Sequence, residues 1–139
     1  MEIREGDNCV TIEVVERVPS HLPTAGDIEL SLKVNSEKFS GQSIVWIGSP
    51  DFATFLVQLR QLEAKRQGEA VIEGLSPENI RFRLRAIDRR GHMAVDGMIA
   101  KLAHMGNPYR HSMEFGFEFD PTLLPKVLAG FEELAKSPG

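Results

Sequence analysis

Cysteine is nearly missing from this chain: Cys9 stands alone among 139 residues, so no intramolecular disulfide can form and the fold must rest on packing. Aromatic residues other than phenylalanine are equally scarce, with one tryptophan and one tyrosine. No apolar run approaches ~20 residues, which leaves no candidate for a helical membrane span. The start, MEIREGDNCV, lacks a basic stretch followed by an apolar one, so it does not read as a secretory signal, and a cytoplasmic location is expected. Positive charge is also in short supply. A net charge of -4 disfavours general nucleic-acid binding, which needs a clustered excess of Lys and Arg to neutralise phosphates.

Chemistry-bearing patterns are missing as well. His21, His92, His104 and His111 show none of the short spacings that bring ligands onto one metal, and read as solvated loop residues. Ser43, Ser49 and Ser112 have no marked base partner, and neither a GxSxG elbow nor a cysteine–histidine signature occurs. The glycines do not form a phosphate-binding loop. Glu114 and Glu118 share a strand face but lie about 13 Å apart along an extended chain, too far for a glycosidase pair. The expectation is a protein with no catalytic, cofactor-binding or metal site.

What the chain does contain is apolar periodicity. Its 42% hydrophobic content suffices for a real core, and the length is that of a single domain covering residues 1–139, with 1–7 and 137–139 expected to fray. The strongest helix signal lies at Ser49–Gly68, where Phe52, Phe55, Leu56, Leu59 and Leu62 form one stripe on a 3.6-residue period. Ser49 is its expected cap and Gly68 its expected left-handed stop. A second stripe, Leu124, Val127, Leu128, Phe131 and Leu134, predicts a C-terminal helix capped at Thr122 with Pro125 in the first turn.

Between and before the helices the period falls to two. Strands are expected over residues 8–18, 28–34, 39–47, 69–73, 80–87, 92–103 and 112–119. Pro19, Pro23 and Gly26 mark a loop after the first strand, and Asp88–His92 a hairpin turn with Gly91 at positive φ. Gly97 is expected to mark a bulge, and the run Ile44–Ile47 to be buried on both faces or to lie beneath the helix, with Trp46 in the core. Hairpins rather than crossovers link these strands. The fold class expected is therefore α+β: a mainly antiparallel sheet of about six to seven strands with two amphipathic helices packed on one face.

One charge pattern stands out. Arg81, Arg83 and Arg85 alternate with Ile80, Phe82 and Leu84, so all three arginines face away from the core. They form a possible anion- or partner-binding surface; the competing reading pairs them across strands with Asp96, Glu114 and Glu118. No aromatic residue shares their face to stack bases, which disfavours single-strand RNA.

The order of pieces resembles a known family. DIELSLKV leads through a second strand into a helix of the form F-x-x-F-L-x-x-L-x-x-L; AVIEG, SPENIRFRL and FGFEFDPTLL follow, with Leu75, Ser76, Pro77, Ile80, Phe82 and Leu84 at the matching positions. This resembles the WapI-like immunity proteins and related bacterial families, although GSPDF stands where those chains have a different turn. The resemblance implies a non-enzymatic cytoplasmic antidote that binds and masks a toxin domain, often a nuclease. The alternative expectation is a housekeeping domain that self-associates as a homodimeric interaction module.

Overall fold

The computed structural model describes residues 1–137. In chain order it has β1 (Glu2–Glu5), β2 (Asn8–Arg17), β3 (Ile28–Ser36), β4 (Phe39–Ile47), α1 (Ser49–Lys65), β5 (Glu69–Glu73), β6 (Ile80–Ala86), β7 (Met93–Lys101), β8 (His111–Phe119) and α2 (Leu124–Lys136), with a 3-10 turn at Pro121–Leu123. The α+β class is as expected, but the strands form two four-stranded antiparallel sheets, β1-β2-β3-β4 and β5-β6-β7-β8, rather than one sheet of six to seven. Each sheet is a meander, and α1 carries the chain from one to the other. The sheets meet where β1, β3 and β4 approach β7 and β8, while α1 packs on β5 and β6 and against α2.

The eighth strand lies in a stretch expected to fray. EIRE offers only one apolar residue, too little for a periodic signal, yet Ile3 is fully buried opposite Val10. The Met1 amino group donates to the Ile12 carbonyl at 2.8 Å and the Met1 carbonyl accepts from the Ile12 amide at 2.9 Å. At the other end, Ser137 closes α2 and its carbonyl accepts from Arg17 Nε at 2.8 Å, while residues 138–139, also expected to fray, lie outside the described residues.

Both helices bury the predicted stripes except for Leu128, which is half-buried at the margin, and one apolar cluster joins them to the inner faces of both sheets. Phe55, Phe82 and Phe131 meet at its centre, drawing α1, β6 and α2 together. The helix ends differ from expectation. Gly48, not Ser49, is the cap residue of α1, and the Ser49 amide is satisfied at 2.8 Å by Asp27 Oδ1 from the loop that precedes β3. The left-handed stop is Arg66 (φ 56°), held by Arg66 N–H to the Leu62 carbonyl at 2.8 Å and Nη1 to the Pro121 carbonyl at 2.9 Å. Gly68, also at positive φ (91°), turns the chain into β5 instead. Asp120 rather than Thr122 caps the C-terminal helical segment, accepting from the Thr122 amide at 2.9 Å and hydroxyl at 2.8 Å.

Two further expectations are corrected. Gly97 marks no bulge, because pairing runs unbroken through Phe82–Gly97–Phe115; it marks a close approach, since a Cβ there would lie 1.9 Å from the Arg81 carbonyl oxygen. The register shift that does occur is in β2, between Val14 and Glu16. The run Ile44–Ile47 is buried on one side only: Val45 and Ile47 enter the core, Trp46 is half-buried, and Ile44 is 55% exposed.

Candidate interaction surface

The outward face of the second sheet collects the arginines and their surroundings through register alone. Reading across β5, β6, β7 and β8, one row is Glu73–Arg81–Met98–Glu114, the next Val71–Arg83–Asp96–Gly116, and the third Glu69–Arg85–Ala94–Glu118. Ile80, Phe82 and Leu84 take the opposite side and are buried, which fixes the arginines outward. Three guanidinium groups thus share a face with five carboxylates, those of Glu69, Glu73, Asp96, Glu114 and Glu118.

Asp96 is the hub. Its two oxygens take a forked pair of bonds from Arg83, Nε to Oδ1 at 2.8 Å and Nη2 to Oδ2 at 3.1 Å, and Oδ2 also accepts from Arg85 Nε at 2.8 Å. Arg83 reaches Glu69 as well, at 3.5 Å. Partial burial by itself would raise the Asp96 carboxyl, but the Arg83 and Arg85 hydrogen bonds outweigh it and hold that group below the usual carboxylate range. Arg83 is shifted upward in return, chiefly by its bond to Asp96. A fork of this kind fixes the plane of the Arg83 guanidinium, while Arg85 is held by its one bond.

The structure therefore separates the three arginines. Arg83 and Arg85 are tied to one carboxylate, whereas Arg81 is exposed and has no ion-pair partner among the described residues. Asp96 was legible as a partner from the sequence; Glu69 was not, because its place opposite Arg85 follows from the β5–β6 register. Glu114 and Glu118 flank the arginines without bonding to them among the described residues.

The other side chains weighed for chemistry stand apart. His21, His92, His104 and His111 are all exposed. Asp88 pairs with His92 within its hairpin turn, where it also accepts from the Arg90 amide at 2.8 Å. Cys9 is buried, its thiol pushed up by that burial, and it donates to Glu2 Oε1 at 3.2 Å. Among the described residues, no group of three or more His, Cys, Asp or Glu side chains converges as a metal site would require. No helix among them is long and apolar enough to cross a membrane. The arrangement suits recognition through charge and shape.

Neither the curated proteins nor the solved structures yield a match to this chain. A defined sequence family does match it. Residues 2–138 match the model of the Immunity protein WapI-like family, and the chain belongs to that family.

Proposed function

We propose that this chain is a bacterial immunity protein that binds a cognate toxin domain and masks it, working in the cytoplasm by occupancy and without catalysis. The family match across residues 2–138 carries this reading. Supporting it, the face bearing Arg81, Arg83 and Arg85 presents both charge signs in fixed positions, as a complementary protein surface requires. A toxin of nuclease type would be basic, and the overall charge of -4 would favour its approach.

The test is to search the adjoining reading frames for a toxin domain and to co-express that domain with this chain. Cell survival and a complex measured by titration calorimetry are the expected results. A chain that neither binds that toxin nor protects against it would overturn the proposal. Arg81→Glu tests the arginine face separately: if toxin contacts it, affinity falls at least ~10-fold, about 1.4 kcal/mol.

A further inference from the structure

The outward face of the first sheet is built differently from the arginine face. Across β2, β3 and β4 its rows read Glu16–Glu29–Trp46, Glu13–Ser31–Ile44 and Thr11–Lys33–Gln42. Leu30, Leu32, Val45 and Ile47 take the core side, which turns these residues outward. Ile44 is 55% exposed, Trp46 is half-buried, and Val15, left out of the pairing by the register shift beside Glu16, is 44% exposed. The outward rows of the second sheet hold no exposed large apolar side chain. The helices leave the first face open, since α1 packs on β5 and β6 and α2 on α1 and β1.

Charge borders this apolar patch on one side. Glu13, Glu16 and Glu29 have no ion-pair partner among the described residues. Glu16 and Glu29 stand directly opposite each other on neighbouring strands, an arrangement that costs the free fold stability. On β1, Glu2 and Arg4 pair with each other. The remaining cations lie at the margin: Lys33 is in the row beyond Ile44, and Lys101 borders the groove at the β4 edge. Negative charge is therefore in excess where the apolar side chains are exposed.

We infer that this face docks a cationic protein surface, with Trp46 and Ile44 at the centre of the contact and Glu13, Glu16 and Glu29 at its acidic rim. Charge complementarity selects that occupant. A nucleic acid or an anionic lipid surface would set phosphates against unpaired carboxylates, and a second copy would bring the same excess of carboxylates over lysines. Lys or Arg side chains from a partner would instead relieve the opposed Glu16 and Glu29. The inference rests on the immunity-protein reading for the partner's identity, and adds the face, on the other sheet from the arginines, by which the toxin domain is held.

Trp46 is the sole tryptophan of the chain, so 5-fluorotryptophan labelling gives one fluorine resonance from within this face. Titrating the full chain with the toxin domain found in an adjoining reading frame should shift that resonance. Glu16→Lys with Glu29→Lys should weaken the complex at least ~10-fold and flatten its dependence on salt, and Ile44→Ser should weaken it by a similar factor. Val57→Ser, an exposed apolar position on α1, should leave affinity unchanged. Glu29→Gln should weaken the complex while the free protein melts no earlier than the parent, because the like-charge pair is gone; a merely structural glutamate would lower the melting temperature. A toxin domain that binds these variants as tightly as the parent, or leaves the Trp46 resonance unmoved, overturns the inference while the immunity reading stands. A toxin domain that does not bind at all overturns both. A resonance that moves when the chain alone is concentrated into a dimer, or when duplex DNA is added, also overturns the inference.

Discussion

Phe131 on α2 meets Phe55 on α1 edge to face, with ring centroids 4.8 Å apart and planes inclined at 70°. Both rings are fully buried, and Phe82 from β6 completes the triangle at 5.8 Å from Phe131. The contact joins elements about seventy residues apart in the chain and locks the terminal helix against the linking one. Phe131→Ala is expected to cost about 3–5 kcal/mol through lost transfer energy and a residual cavity. Phe131→Leu should cost about half as much. Urea unfolding of both variants checks the order; equal, small losses would mean that the aromatic triangle contributes little.

Asp96 sets the pH behaviour of the arginine face. Its folded carboxyl is held below its ordinary value of 3.8, so its contribution is present above that value and is lost as pH falls through the lower, folded one. Acid unfolding of Asp96→Asn should therefore be flatter below about pH 4 than that of the parent protein. At neutral pH the same change removes the charge and one of the two acceptor oxygens that Arg83 and Arg85 share, and should cost about 1–2 kcal/mol, between the exposed and buried limits for such pairs. Denaturant melts at neutral and acid pH, compared between the two proteins, read both effects.

Arg66 holds a left-handed backbone that glycine adopts without strain, and its guanidinium ties the end of α1 to Pro121. Two substitutions separate these roles. Arg66→Ala keeps the backbone strain and loses the bonds, and should destabilise by about 1–2 kcal/mol. Arg66→Gly relieves the strain while losing the same bonds, and should come within about 0.5 kcal/mol of the parent. Thermal melts rank them; alanine equal to glycine would show that the left-handed position carries no cost.

Legibility in the sequence followed the length over which a pattern repeats. The β8 stretch Met113–Phe119 declared its face through four alternating apolar residues, and α1 through five stripe positions. Ile3 had no repeat around it, so β1 became visible only as the partner of β2. The site divides similarly: Arg81, Arg83 and Arg85 were legible as an outward row, and their unequal state was not. Only the register that sets Asp96 against Arg83, within reach of Arg85, distinguishes two tied guanidinium groups from one left exposed.

Outside β1 and the end of β4, the sequence by itself determined which segments are strand or helix and which side of each turns inward, because side-chain period is a property of a few consecutive residues. Tertiary structure alone decided that eight strands divide four and four, that Asp27 rather than Ser49 satisfies the first amide of α1, and that β4 is left as an uncharged edge. Those outcomes depend on which distant segments meet. A hydrogen bond or an ion pair across a sheet is fixed by the partner's position, and no local pattern encodes it.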